Sequence, residues 1–219
     1  MTTAELFAAE DFNEPPVEPL APGAVLLRGF VRAQASELLA AVEAIVAEVP
    51  WRRLVTPGGQ RMSVAMTHCG TLGWFSDRRG YRYVAADPHT GRTWPPMPAA
   101  FMSLAGAAAA EAGFAAYVPD ACLLNRYEPG TRLSLHQDRD ERDLGAPIVS
   151  VSLGLPAVFL WGTPQRRSDT PRRIRLVHGD VVVWGGPSRL AFHGVAPLAQ
   201  GVHELTGACR INLTFRRAG

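Results

Sequence analysis

The stretch that decides the fold is Arg210–Ile–Asn–Leu–Thr–Phe–Arg216 (RINLTFR), near the end of the 219-residue chain. Successive side chains of a strand point to opposite faces, so one face of this stretch is polar and the other is apolar. The strict alternation therefore predicts a β-strand. Its polar face could lie in solvent, or it could face a barrel interior, where two arginines would need an anionic partner.

Further strand-like runs precede this one, and turn residues rather than helices separate them. The eight runs are residues 121–127, 132–138, 147–155, 157–161, 173–177, 181–184, 189–195 and 209–216. Eight short strands in succession predict a mainly β fold, a double-stranded β-helix (jelly-roll) barrel. The apolar periods of residues 35–49 and 98–112 predict two helices before the barrel, covering one of its faces.

The chain is predicted to form a single domain over residues 21–219, after a loosely ordered arm at 1–20, with the jelly-roll core at 118–217. Residues 51–96 lack a helical period and are rich in Gly, Pro, Arg and aromatic residues. A stretch of this length without regular structure is usually functional or disordered. Its many apolar residues favour ordered, short strands and loops.

Composition excludes several classes of protein. No apolar run approaches the roughly 18 residues of a membrane span, and the N-terminus lacks the apolar region of a signal peptide. Three widely spaced cysteines (Cys69, Cys122 and Cys209) argue against a disulfide framework or a structural zinc site. We therefore expect a cytoplasmic protein with no membrane partner. The sequence leaves the oligomeric state open, and a monomer is the default expectation. The net charge of +2 alone does not indicate nucleic-acid binding.

Two His-x-Asp pairs stand out, His136–Gln–Asp138 and His178–Gly–Asp180. The second lies between two strand-like runs, and its Gly-Asp is typical of turns, so it is predicted to be a solvated hairpin turn. The first ends an alternating run, so His136 and Asp138 share one face of a strand while Gln137 points to the other. His136 and Asp138 are therefore the candidate metal ligands.

A third ligand is needed to complete a 2-His-1-carboxylate site, the arrangement of non-haem Fe(II) oxygenases. His193 lies in a later strand-like run, where it could be a buried core histidine or this third ligand. On the strand before the first pair, Leu123, Asn125 and Tyr127 share a face and offer an amide and a phenol to the same ligand. A small dicarboxylate would supply one anion for each arginine of RINLTFR.

The motifs together resemble the AlkB family of Fe(II)- and 2-oxoglutarate-dependent nucleic-acid dealkylases, from about residue 20 to 217. They are NRYEPG (125–130), LHQD (135–138), SLGLP (152–156), HGDVVVWGG (178–186), the later His193, RINLTFR, and the upstream TPGG, MSVAMT and GYRY. The resemblance implies that His136, Asp138 and His193 hold Fe(II). It implies a 2-oxoglutarate site formed by Leu123, Asn125, Tyr127, Arg210, Asn212 and Arg216, and leaves open which arginine meets which carboxylate.

The same resemblance implies oxidative demethylation of bases such as 1-methyladenine and 3-methylcytosine in DNA, and as a further candidate RNA. O₂ and 2-oxoglutarate would be consumed, with release of succinate, CO₂ and formaldehyde. Residues 51–96 become a nucleotide-recognition lid for a base flipped out of the stack. Its substrate-binding residues would be Trp74 and Tyr81, together with Asp140 at the base, Arg139 at phosphate, and Arg166, whose register against Arg167 stays open.

Two other functions fit the residues. An oxygenase of this type could act on a protein side chain or a small metabolite. A nucleic-acid-binding jelly roll without a catalytic metal would also carry the strand pattern.

Overall fold

A computed structural model describes residues 16–219. The two predicted helices are present as α1 (Ala35–Glu48) and α2 (Ala99–Glu111). Neither helix of residues 16–219 is long and apolar enough to cross a bilayer. The predicted N-terminal arm falls mostly on residues 1–15, outside the described residues. Its end differs from the prediction, because Val17–Ala21 forms a strand, β1, that pairs with the next segment of the chain.

The strands form two facing sheets and a separate hairpin. In chain order they are β1 (Val17–Ala21), β2 (Ala24–Leu27), β3 (Ala65–Gly70), β4 (Gly73–Asp77), β5 (Gly80–Val84), β6 (Ala121–Tyr127), β7 (Leu133–His136), β8 (Ile148–Gly154), β9 (Ala157–Trp161), β10 (Arg172–Leu176), β11 (Val181–Trp184), β12 (His193–Val195) and β13 (Arg210–Arg216). The larger sheet has the order β1-β2-β11-β8-β13-β6-β3, and the smaller has β10-β9-β12-β7. Strands β6 to β13 match the eight predicted runs, and the mainly β jelly roll is confirmed.

The apolar face of β13 explains why the two helices lie where they do. Ile211, Leu213 and Phe215 are buried in one cluster with residues of α1 and α2, and the rings of Phe215 and Phe101 meet edge to face at 5.7 Å. The helices therefore cover the outer face of the larger sheet. The polar face of β13 must then point between the two sheets, which excludes the alternative of a solvent-exposed polar face.

Residues 51–96 are ordered as short strands and loops, as predicted. Strand β3 extends the larger sheet beyond β6, while β4 and β5 pair only with each other. The β4–β5 hairpin packs beside the open end of the two sheets, where Trp74, Tyr81 and Tyr83 line the cavity described below. Its position makes it the candidate lid of that cavity.

The His178–Gly–Asp180 turn is present, but two features of its prediction were wrong. It connects β10 and β11, which belong to different sheets, so it is not a hairpin. It is also not solvated, because Asp180 is only 1% exposed. Its carboxylate accepts hydrogen bonds from the backbone amides of Val177 and Gly29 and from Arg28, at 2.9–3.0 Å. Asp180 is thus a structural tie between the turn and the start of the barrel.

Replacing Asp180 with Ala should lower the free energy of unfolding by about 3–5 kcal/mol, because three donors would lose a buried charged acceptor. Urea denaturation measures this. The matched control is Asp143→Ala. The Asp143 side chain is 40% exposed and pairs with Arg217 at 3.5 Å, so this substitution should lower the free energy of unfolding by less than about 1 kcal/mol. Equal losses of unfolding free energy in the two variants would show that the hydrogen bonds of Asp180 do not stabilise the fold.

Candidate active site

A cavity of about 830 Å³ lies between the two sheets and opens beneath the β4–β5 hairpin. Its walls carry the polar face of β13, the inward face of β6, and the ends of β7 and β12. All of the metal-ligand and 2-oxoglutarate candidates of the sequence line it: His136, Asp138, His193, Leu123, Asn125, Tyr127, Arg210, Asn212 and Arg216. The fold therefore brings these nine side chains to one place.

Three of these side chains form the one cluster of metal-ligand type found among residues 16–219. The candidate ligand atoms of His136, Asp138 and His193 all lie within 4.8 Å of one another. His136 and His193 face each other directly across the β7–β12 ladder, and Asp138 follows the end of β7. His136 Nε2 lies 3.5 Å from Asp138 Oδ1, and His193 Nε2 lies 3.8 Å from Asp138 Oδ2.

Both histidines are held in the tautomer that a metal needs. The Nδ1 atom of His136 lies 2.9 Å from the carbonyl oxygen of Ser134, and that of His193 lies 3.0 Å from the carbonyl oxygen of Ala191. A carbonyl only accepts, so each Nδ1 carries a proton and Nε2 is the ring atom that can bind a metal. Gln137 points away, as predicted, and donates to the carbonyls of Pro164 and Leu190.

Electrostatics prepare the triad for a cation. Burial, together with the neighbouring His136, lowers the pKa of His193 to about 4, so it is a neutral ligand at neutral pH. Burial would raise the pKa of Asp138, but the Arg216 guanidinium and the histidines hold it well below its ordinary value. Burial opposes protonation of His136 as well, yet the Asp138 carboxylate raises its pKa above the ordinary value. A metal at His136 therefore competes with a proton.

Arg210 is the feature that calls for an anionic ligand. It is 1% exposed, and its Nη2 donates to Ser152 Oγ at 2.8 Å. Its Nε and Nη1 have no hydrogen-bond partner within the described residues, and the guanidinium lies 5.0 Å from the centre of the Tyr127 ring. A buried cation with two free donors is costly unless a ligand accepts from them, and a carboxylate fits this fork.

The other polar residues of β13 already have protein partners. Asn212 donates to Ser150 Oγ and to the Val151 carbonyl. Arg216 donates through Nε and Nη2 to Asp138 Oδ2, at 2.9 and 2.6 Å. Asn125 lies directly opposite Asn212 on β6. Asn212 and Arg216 thus form a fixed wall beside Arg210 rather than a second set of free donors.

Two aromatic residues of the β4–β5 hairpin stand at the mouth of the cavity. The rings of Trp74 and Tyr81 are stacked, with centroids 5.4 Å apart and planes 14° from parallel. Trp74 Nε1 donates to Asp140 Oδ2 at 2.8 Å. Tyr81 is 47% exposed, so a flat ring is available to an approaching molecule.

Known proteins are similar to this chain in sequence and in fold. A family model described as the 2OG-Fe(II) oxygenase superfamily matches residues 23–216. The chain is 57% identical to the alpha-ketoglutarate-dependent dioxygenase AlkB of Salmonella typhimurium, over 98% of this chain and 97% of that protein. It is 56% identical to the protein of the same name from Escherichia coli, over 94% and 95%. The chain belongs to the AlkB family.

A solved structure agrees with this membership in the AlkB family. The structure of OsALKBH1 superimposes with a TM-score of 0.79 at 29% identity, covering 92% of this chain and all of that one. The resemblance seen in the motifs is thereby confirmed as a family relationship. The family description names Fe(II) and 2-oxoglutarate, which fit the triad and the free donors of Arg210.

The structure of this AlkB-family chain brings four of the five substrate candidates to the cavity. Trp74, Tyr81, Arg139 and Asp140 line the cavity as expected, but the cavity is bordered by Arg167 and not by Arg166. The main-chain amide of Arg166 instead lies against Thr163 Oγ1 within the β9–β10 loop. Loop register of this kind has no periodic signature in sequence, so two adjacent arginines could not be told apart.

Sequence reasoning missed a buried cluster of charges behind the triad. Glu141 and Arg189 are 7% and 4% exposed and form an ion pair of 3.1 Å. Glu141 also lies 3.2 Å from Arg216 Nε and accepts a hydrogen bond of 2.7 Å from the Tyr83 hydroxyl. An arginine directly before an apolar run (Ser188–Arg–Leu–Ala–Phe192) was the available signal for Arg189.

Proposed function

We propose that this protein is an Fe(II)- and 2-oxoglutarate-dependent dioxygenase that demethylates N-alkylated bases in DNA, and also in RNA. The observation that carries the proposal is the His136–Asp138–His193 cluster, set in one cavity with the buried Arg210 whose Nε and Nη1 are free. The dioxygenase relatives named above support the oxygenase chemistry. A segment of 76 residues, 35% of this chain and 25% of that protein, is 47% identical to the tRNA demethylase abh1 of Schizosaccharomyces pombe, which supports RNA as a second substrate.

Each residue has a role in this proposal. His136, Asp138 and His193 would bind Fe(II), leaving positions open for ligands. Arg210, stacked on Tyr127, would receive one carboxylate of 2-oxoglutarate, with Leu123 and Asn125 at its side. Bound Fe(II), with 2-oxoglutarate and O₂, supplies the oxidising power that hydroxylates an N-methyl carbon. The resulting carbinolamine breaks down to formaldehyde and the unmodified base.

The cavity mouth suits a base that carries positive charge. Bases such as 1-methyladenine and 3-methylcytosine are cationic, and Asp140 offers a carboxylate at the mouth, close to Trp74. The aromatic surface of Trp74 and Tyr81 would stack on a base flipped out of the duplex. Arg139 and Arg167, both on the cavity rim, would contact phosphates. Binding should therefore weaken as salt concentration rises.

Formaldehyde release tests the proposal. Purified protein with Fe(II) and 2-oxoglutarate is incubated with single- and double-stranded DNA and RNA oligonucleotides that carry 1-methyladenine or 3-methylcytosine. We expect formaldehyde from methylated but not from unmethylated oligonucleotides. Turnover of 2-oxoglutarate that no methylated oligonucleotide stimulates would instead indicate a protein or metabolite substrate.

Trp74→Ala should weaken the binding of a methylated oligonucleotide by about 10- to 100-fold, since stacking on one aromatic side chain contributes about 1–3 kcal/mol per base. Fluorescence anisotropy of a labelled oligonucleotide measures the affinity. Val202→Ala, at a side chain that is 84% exposed and does not line the cavity, is the control and should bind normally. Unchanged affinity of Trp74→Ala would place base recognition elsewhere.

A further inference from the structure

The β4–β5 hairpin is tied to the segment after β7 by two parallel hydrogen bonds. Trp74 and Tyr83 are direct cross-strand partners in the hairpin. Trp74 Nε1 donates to Asp140 at 2.8 Å, and the Tyr83 hydroxyl donates to Glu141 at 2.7 Å. A pair of donors on neighbouring strands thus meets two consecutive acidic residues.

The two contacts differ in their surroundings. The Trp74–Asp140 contact is exposed at the mouth, where an entering base could exchange for the indole. The acceptor of Tyr83 is buried, since Glu141 is 7% exposed. A buried hydrogen bond to a charged acceptor is expensive to break, because the acceptor would lose a partner away from water. Breaking the Tyr83–Glu141 hydrogen bond therefore costs more free energy than breaking the Trp74–Asp140 hydrogen bond.

Glu141 is itself held in a charge-balanced cluster with the metal ligand. Two carboxylates, Asp138 and Glu141, meet two guanidinium groups, Arg189 and Arg216, and all four residues are 4–9% exposed. Arg216 Nε lies 2.9 Å from Asp138 Oδ2 and 3.2 Å from Glu141 Oε1, so it bridges the two acids.

Arg189 fixes the opposite side of the cluster. Its Nη2 contacts Glu141 at 3.1 Å, its Nη1 donates to the Asp138 carbonyl at 2.6 Å, and its Nε donates to the Ala146 carbonyl at 2.9 Å. All three of its nitrogens are used, so Glu141 has little freedom to move. A side chain so constrained can hold a neighbouring element in place.

We propose that Glu141 is a positioning residue, which docks the β4–β5 hairpin over the cavity through Tyr83 and holds Arg216 against Asp138. The contacts Tyr83–Glu141, Glu141–Arg216 and Arg216–Asp138 make a continuous path from the lid to the metal triad. Docking of the hairpin stands on these contacts alone; its consequence for nucleic-acid turnover rests on the function proposed above.

Hydrogen exchange of the free protein tests the docking without any substrate. Tyr83→Phe removes only the hydroxyl, and amides of residues 73–84 should then exchange about tenfold faster, while those of β13 stay unchanged. Tyr117→Phe is the control: Tyr117 is buried, and its hydroxyl has no hydrogen-bond partner within the described residues, so its removal should leave the hairpin unchanged. Unaltered exchange in the hairpin of Tyr83→Phe would overturn the proposal.

A double-mutant cycle with Glu141→Gln tests the link to the triad. Tyr83→Phe should raise KM for the methylated oligonucleotide about tenfold with little change in kcat, since it affects only the lid. Glu141→Gln should raise KM by a smaller factor, because the amide oxygen still accepts from the Tyr83 hydroxyl but carries no charge. It should also weaken Fe(II) binding about tenfold, because Arg216 loses a balancing charge. Anaerobic Fe(II) titration with 2-oxoglutarate, followed by the visible absorption band, measures that second effect.

The two changes to KM should not add in the double variant, because both act on one contact: Tyr83→Phe removes its donor, and Glu141→Gln removes the charge of its acceptor. Additive effects, or unchanged Fe(II) binding by a folded Glu141→Gln, would contradict the proposal. If Glu141→Gln does not fold, Tyr83→Phe and its hydrogen exchange still decide the docking. Wild-type protein that releases no formaldehyde would refute the proposed function, yet leave the exchange result standing.

Discussion

His136→Ala should abolish Fe(II)-dependent formaldehyde release, with a loss of at least about 1000-fold. The substitution removes one of three candidate ligands, and even an outer partner of a metal ligand typically contributes about 10- to 100-fold. Fe(II) affinity should fall in parallel, which an anaerobic titration with 2-oxoglutarate would show. The fold should survive, because the His136 side chain is 35% exposed and lies at the end of β7.

The second His-x-Asp pair supplies the matched control. His178 has the same spacing to its aspartate, but its Nδ1 accepts from the Gly154 amide and its ring stacks on His203 at 4.4 Å. His178→Ala should therefore keep full Fe(II) affinity and formaldehyde release per folded molecule. Retained activity in His136→Ala, or equal losses in both variants, would show that the metal lies elsewhere.

The barrel was predictable because its strands obey a period of two. In β13 the alternation of RINLTFR separated Ile211, Leu213 and Phe215, which pack under the helices, from the arginines that face the cavity. The same rule placed His136 and Asp138 on one side and Gln137 on the other. A face of a strand is a local property, so sequence alone could assign it.

Contacts between segments that are distant in the chain could not be predicted from the sequence. Asp180 was predicted to be solvated because Gly-Asp is typical of turns, yet Arg28 and Gly29, about 150 residues earlier, bury it. Glu141 and Arg189 are 48 residues apart and are each surrounded by ordinary-looking sequence. Burial of such charges is decided by where the chain folds back, which no local period records.

The β4–β5 hairpin also depends on long-range contacts that the sequence does not predict. Its short strands were expected in general terms, but the β4–β5 pairing and the contacts of Tyr83 depend on the sheet beneath it. Family resemblance proposed Trp74 and Asp140 for the substrate, whereas the hydrogen bond between them became visible only in the structure. Resemblance transfers the roles of residues, and geometry adds what those residues do before a substrate arrives.

Arg210→Met should weaken the binding of 2-oxoglutarate without lowering the stability of the free protein. In the free protein Arg210 is a buried cation with two unused donors, and a methionine of similar length would fill its space without charge. The free energy of unfolding should thus stay equal or rise by about 1 kcal/mol or more. The KM for 2-oxoglutarate should rise at least about 100-fold, because the ligand carboxylate loses two charge-assisted hydrogen bonds.

Thermal unfolding with and without 2-oxoglutarate reads both effects in one experiment. A ligand present at 100 times its Kd stabilises the wild type by about 2.7 kcal/mol, and this shift should vanish in Arg210→Met. Arg173→Met, at an exposed arginine of β10, is the control and should keep the shift. If Arg210→Met were less stable than wild type and still bound 2-oxoglutarate normally, Arg210 would be a structural residue. The carboxylate would then bind at another arginine of the cavity. Binding at Arg216 would require the cluster to open, because Arg216 is already paired with Asp138 and Glu141.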